Sequence, residues 1–168
     1  MFRGELESFV ADFEFRTYEI PLNSDSGFHT GFARLPDDVP LRTIEDYDNY
    51  IARLRAFPEY VDQHVINMRS GLARGFTLPG VVRGGADEPS AAHLVRDPTR
   101  SDFWAPFADF PTSVAEDARA DLRARGRAAI EESVLPGYAQ FLEFMVDEYI
   151  PQARAGIGAS ALPDGDAY

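Results

Sequence analysis

His29, His64 and His93 are the only imidazoles in the chain, and the absence of cysteine excludes disulfides, Cys-ligated zinc and thiol nucleophiles. A zinc site on a helix needs two ligands one turn apart on the same face, and no two of these histidines are so spaced. HExxH is absent. His64 falls between Val61 and Met68 on an apolar helical face and reads as a hydrogen-bonded core histidine. His29 lies in Ser26-Gly27-Phe28-His29-Thr30-Gly31, where small neighbours would admit a substrate, although a turn with a polar side chain is the simpler reading. His93 has no motif around it.

Glu131-Glu132 and Asp147-Glu148 are adjacent carboxylates. Neighbours on a helix point about 100° apart, so neither pair is arranged as an acid/base dyad. Glu143 and Asp147 do share a face at i, i+4, where two like charges repel unless a cation from elsewhere joins them. The serines lack a G-x-S-x-G elbow, and the glycines form neither G-x-G-x-x-G nor a P-loop. No catalytic, cofactor-binding or metal-ligating residue is therefore expected within the chain.

The elements that would position such groups are helical. Phe2, Leu6, Phe9 and Phe13 recur at helical spacing, with an end expected near Tyr18. Residues 19–42 read as an irregular stretch. Thr43 with Asp46 forms an approximate capping box ahead of Ile44, Tyr47, Ile51 and Leu54. Pro58 suits the first turn of a further helix carrying Val61, Val65, Met68 and Leu72, closed by Gly71 or Gly75, so a helical hairpin or sharply kinked pair is expected at Phe57-Pro58. Residues 75–111 read as a second long loop, with Phe103, Trp104, Phe107 and Phe110 near its end. Ser113 with Glu116 reads as a capping box for a helix to Leu135, Pro136 as a break or kink, and Tyr138, Phe141, Leu142, Met145 and Tyr149 as a last helix ended or kinked by Pro151.

The expected fold is thus mainly α, with about five antiparallel helices joined by two long irregular loops. Residues 1–168 would form a single helical domain or partial domain. Composition narrows the partners. A net charge of −12 repels phosphate backbones, and the sixteen basic residues, all arginine, are scattered, which argues against nucleic acid. No apolar run is long enough for a membrane helix, and the first residues lack the basic start of a signal peptide. Cytoplasmic residence is the default, with export of a complete protein left open.

Phe9-Val10-Ala11-Asp12-Phe13, the loop Gly27-Phe28-His29-Thr30, Arg42-Thr43-Ile44-Glu45-Asp46-Tyr47 and Tyr50-Ile51-Ala52-Arg53-Leu54 together resemble a large bacterial family, domain of unknown function 885. The resemblance continues through Phe57-Pro58-Glu59-Tyr60-Val61-Asp62-Gln63, Gly71-Leu72-Ala73-Arg74-Gly75, Phe103-Trp104-Ala105-Pro106-Phe107, Val134-Leu135-Pro136 and Ser160-Ala161-Leu162-Pro163-Asp164-Gly165. It implies a larger helical, zinc metallopeptidase-like fold whose HExxH helix lies C-terminal of the part matched. On that basis the chain is expected to be a truncated, noncatalytic N-terminal segment of a zinc-dependent peptidase, supplying scaffold and cleft wall from residues 19–42 and 75–111. The remainder of the parent polypeptide would be its partner, a peptide the substrate of the complete protein, and zinc a cofactor only there. The alternative is a stand-alone helical module that binds a protein or peptide without enzymatic activity.

Overall fold

Two long helical tracts carry the architecture, each with apolar side chains recurring along one face. In the computed structural model, residues 2–23, 26–80, 88–163 and 165 are described. The first tract is α4, Ile44–Arg74, which buries Tyr47, Tyr50, Ile51, Leu54, Phe57, Val61, Val65 and Met68 along one stripe. Its start follows the local code. Asp46 N–H donates to Thr43 Oγ1 at 3.2 Å, and Asp46 Oδ2 accepts from Thr43 N–H at 2.9 Å. It ends at Gly75, whose φ of 75° is the left-handed conformation that only glycine adopts without cost.

The expected hairpin or kinked pair at Phe57-Pro58 is one continuous helix of 31 residues. Pro58 removes a single rung, and the buried stripe runs unbroken on both sides of it, so packing outweighs the local penalty.

The second tract runs from Glu116 to Gln152 as α7 (Glu116–Ala129), α8 (Leu135–Phe144) and α9 (Ile150–Gln152), separated by wide π-type turns at Ile130–Val134 and Met145–Tyr149. Each wide turn closes two residues before a proline, Pro136 or Pro151, at Val134 and Tyr149. Leu135 N–H reaches back to Ile130 O, and Ile150 N–H to Met145 O. The i→i+5 bonds absorb the register that a proline ring disturbs, so the predicted breaks become bulges in one rod. The helix begins at Glu116 with Ala115 at its cap. Ser113 does not form the expected box, because its hydroxyl donates to Arg42 O at 2.6 Å instead.

These tracts run in the same direction, which corrects the antiparallel expectation for the two principal helices. Asp48 pairs with Arg125, Asp62 with Gln140 and Arg69 with Glu148, at sequence separations of 77, 78 and 79. A near-constant offset means that both chains advance together. Parallel neighbours require a long return connection, and residues 75–115 provide it. That connection is not an empty loop. It contains α5 (Glu88–Ala92), short 3-10 turns at Pro98–Arg100 and Asp102–Trp104, and α6 (Ala105–Ala108), and it buries Phe103, Phe107 and Phe110. Tyr50 and Tyr47 hydroxyls donate to Phe103 O and Pro106 O, each at 2.9 Å.

Residues 19–42 are likewise partly helical, with α2 at Phe28–Ala33 and α3 at Leu35–Asp38. Among the described residues there is no sheet, only isolated bridges between Leu22 and Gly27 and between Pro79 and Arg154. Within this frame Gly126 is a contact point: a Cβ there would lie 2.4 Å from Phe107 Cζ. Gly126→Ala should therefore destabilise by about 1–3 kcal/mol in urea unfolding, although alanine alone favours a helix by about 1 kcal/mol. A stabilised variant would show that Phe107 does not press on the helix.

The N-terminal helix departs furthest from expectation. α1, Phe2–Glu14, ends before Tyr18, where Arg16 adopts φ 57°. Its predicted apolar stripe is not buried at the described positions, since Leu6, Val10 and Phe13 are 53%, 53% and 71% exposed. Just beyond it lies a buried carboxylate that sequence reading did not single out. Glu19 is 1% exposed, accepts from Arg74 Nε at 2.6 Å and from Ser70 Oγ at 3.1 Å, and ties the end of α1 to the C-terminal turn of α4. A lone glutamate gives no periodic signal, so nothing local announces it.

Candidate functional site

The histidines singled out above are brought together by the fold, but as packing elements. Phe28 is their hub. His64 stacks on its ring at 4.0 Å, His29 meets it edge-on at 5.7 Å, and Phe141 closes the other side at 4.8 Å. His93 lies 4.5 Å from the Tyr138 ring, with Nδ1 at 3.8 Å from Asp102 Oδ2. Tyr138 hydroxyl donates to His29 O at 2.8 Å. His64 is held by ring stacking and not by the hydrogen bond expected of it, since its Nδ1 and that of His29 are buried without a partner. Burial pushes all three imidazoles below their ordinary value, His29 to about 4, with the neighbouring His93 charge as its second cause.

Among the described residues no group of three or more His, Cys, Asp or Glu side chains could hold a metal ion. Nor do the carboxylate pairs form a dyad. Glu131 and Glu132 are exposed. Arg69 of α4 supplies a cation beside Glu143 and Asp147, where it pairs with Glu148 through Nε at 2.8 Å, and that bond holds the Glu148 carboxyl below the usual range.

The feature with the makings of a binding site is a groove along α4. Asp46, Asn49, Arg53, Ala56 and Tyr60 recur at alternating spacings of three and four, which places them in a second stripe beside the buried one. The opposite wall comes from residues 26–40. At one end a cavity of about 420 Å³ is lined by Phe28, Phe32, Leu35, Arg53, Phe57 and Tyr60 among others, and its surface is chiefly apolar. A second cavity of about 530 Å³ continues it past Arg53 and Ala56 to Val39, Pro40 and Asn49. A third of about 460 Å³, lined by Ser26, Gly27, Thr30, Gly31 and Arg34, lies off α4 and shares only Gly31 with the first.

The floor is rigid. Phe32 stacks on the buried Phe57 at 3.9 Å, and Tyr60 meets Phe28 edge-on at 5.7 Å. α2 is fixed at its start by Gly27 N–H, which donates to Thr30 Oγ1 at 3.0 Å. A Cβ on Gly27 would lie 2.7 Å from Leu22 Cδ2, so a larger residue there would have to displace the end of the Leu22 side chain.

Several arginines are engaged: Arg16 and Arg74 with Glu19, Arg69 with Glu148, Arg119 with Glu116, Arg125 with Asp48 and Asp121, and Arg123 and Arg154 with carbonyls. Arg34 and Arg53 are exposed, and their guanidinium groups make no hydrogen bond or ion pair among the described residues. Asp46 shares the groove, yet its carboxylate is spent on the backbone N–H groups of Arg42 and Thr43, which hold it below the usual carboxylate range. An uncommitted guanidinium group, that of Arg53, beside an apolar floor suits an apolar segment that carries carboxylates.

A family model described as "Bacterial protein of unknown function (DUF885)" matches residues 2–168. No curated protein and no solved structure matches the chain. The family resemblance is therefore right in kind and wrong in extent: it is not confined to an N-terminal portion, because the match takes in nearly the whole chain. With that, the truncated segment whose partner is the remainder of a parent polypeptide loses its support. The metallopeptidase-like and hydrolase-like expectation falls as well. The family description carries no such activity, and the described histidines are locked into ring contacts on separate elements with no metal-ligating cluster among them. Among the described residues no helix is long and apolar enough to cross a membrane.

Proposed function

Because this chain belongs to the DUF885 family of bacterial proteins of unknown function, we propose, from its own groove, that it is a noncatalytic helical module that binds a protein or peptide segment, with residues 1–168 acting as one helical unit. The observation that carries this reading is the pairing of an apolar, aromatic-walled channel along α4 with Arg53, whose guanidinium has no partner among the described residues of a chain of net charge −12. An unpaired arginine on an acidic protein attracts carboxylates from outside, and the apolar floor contributes the affinity that surface charge alone does not. Residues 26–40, expected to wall a peptidase cleft, wall this groove instead.

The test uses labelled peptides with an apolar i, i+4, i+7 face and either glutamate or lysine on the flanks, titrated against the purified chain by fluorescence anisotropy. Glutamate-flanked peptides should bind more tightly, and the preference should shrink as salt rises. Arg53→Glu should weaken them about tenfold, equivalent to about 1.4 kcal/mol, without lowering the melting temperature, because Arg53 is exposed and unpaired. Equal binding of both flank types, or an unchanged Arg53→Glu variant, would refute the assignment.

A further inference from the structure

We infer that the groove's occupant is α1 of a second copy of this chain, so that two copies exchange their N-terminal helices; this rests on the groove being a binding site as proposed above.

Three observations point to α1. It has an uncovered apolar stripe: Leu6, Val10 and Phe13 stand at i, i+4 and i+7, all more than half exposed, and Tyr18 at 6.2 Å from the Phe13 ring extends the patch. Such a face on a folded helix is the form in which helices enter grooves. Its charge is complementary, because Glu5, Asp12 and Glu14 are exposed and none is ion-paired among the described residues, while the Arg53 guanidinium on the groove has no partner among them. Its length also fits. At the helical rise of 1.5 Å per residue, the 13 residues of α1 span about 20 Å, and the groove stripe from Asp46 to Tyr60 spans about 21 Å.

The geometry favours exchange between copies. Arg74 Nη2 donates to Phe15 O at 3.2 Å, and the Glu19–Arg74 pair anchors the following turn, so α1 is rooted at the C-terminal end of α4. The groove occupies the N-terminal half of the same helix. Between Tyr60 and Arg74 lie about 21 Å of helix, so α1 reaches its own groove only by giving up that anchor. A second copy related by a two-fold axis satisfies both grooves at once, as an isologous dimer with two equivalent helix–groove junctions.

Sedimentation velocity of the full 168-residue chain over a range of concentrations should show a monomer–dimer equilibrium. Phe13→Asp on the helix and Arg53→Glu on the groove should each raise the dissociation constant more than tenfold. Both positions are exposed, and unchanged melts will show that the variants fold. Mixing the two variants is the decisive arm. The first retains an intact groove and the second an intact α1, so the mixture should regain a heterodimer through one sound junction that neither variant forms alone. A monomeric wild-type chain, or a dimer indifferent to both substitutions, overturns the exchange. The peptide titration then separates the two claims: a monomer that still prefers glutamate-flanked peptides keeps the groove and loses the exchange, whereas one that binds neither peptide loses both.

Discussion

Phe57→Ala should lower the free energy of unfolding by about 3–5 kcal/mol, measured by urea denaturation, and should abolish peptide binding in the groove. Phe57 is fully buried, its ring stacked at 3.9 Å on Phe32 and 4.8 Å from the Tyr138 ring. It also fills the space left by Gly137, where a Cβ would stand 2.6 Å from Phe57 Cδ1. Truncation removes the ring's transfer free energy and leaves a cavity that collapses poorly, since the rings of Phe32 and Tyr138 and the backbone at Gly137 are already close-packed around it. A domain of this kind has about 5–15 kcal/mol in all, so the variant should sit near the edge of folding. Phe57→Leu separates the two effects. It should cost less than about 1.5 kcal/mol and keep the chain folded, yet still weaken the groove, because Phe32 would lose the flat partner that fixes its ring as a wall. If alanine at this position cost under about 1 kcal/mol, the core would not be packed as described.

What the chain makes legible at short range, the structure reproduces. The Thr43–Asp46 box forms because both partners lie within one turn and nothing distant competes for them. The neighbouring claim on Ser113 fails for the opposite reason: a carbonyl 71 residues away, at Arg42, takes the hydroxyl. The prolines mislead in the same way. Pro58, Pro136 and Pro151 are local breakers, but each sits in a helix with a long buried face, and two are accommodated by wide turns that the sequence does not spell out. The parallel run of the two tracts is also a tertiary fact, since nothing local distinguishes a return connection from a hairpin.

Half of the groove was readable. Asp46, Asn49, Arg53, Ala56 and Tyr60 have helical spacing beside the core stripe, so one wall could have been drawn from the sequence alone. The other wall comes from α2 and α3, in a stretch rich in Pro, Gly and Asp that carries no periodic signal. Likewise, ring contact among Phe28, His29 and His64 could not be read from positions so far apart, whereas the absence of a helical ligand pair could.

Stability should fall as pH drops from about 6.5 to about 4, by about 1–3 kcal/mol from His29 alone, at 1.4 kcal/mol per pH unit and discounted for solvent screening. His29 is 3% exposed, and burial is the main reason its pKa is lowered to about 4, with the His93 charge second. In the unfolded chain the ring protonates near 6.5, so between these values the unfolded state binds the extra proton and gains on the native state. Above 6.5 both states are neutral and the stability is fully present. His64 and His93 act in the same sense, His93 less so because Asp102 at 3.8 Å favours its charged form. Asp46, Asp97 and Glu148 are also held below their ordinary values, and their contribution disappears at still lower pH, as they protonate in the native state. His29→Leu isolates the first group: it removes a ring whose Nδ1 has no partner, so it should flatten the urea-derived stability profile between pH 6.5 and 4 while changing it little at pH 8. Superimposable acid limbs for the two proteins would mean that His29 titrates in the native state as it does in water.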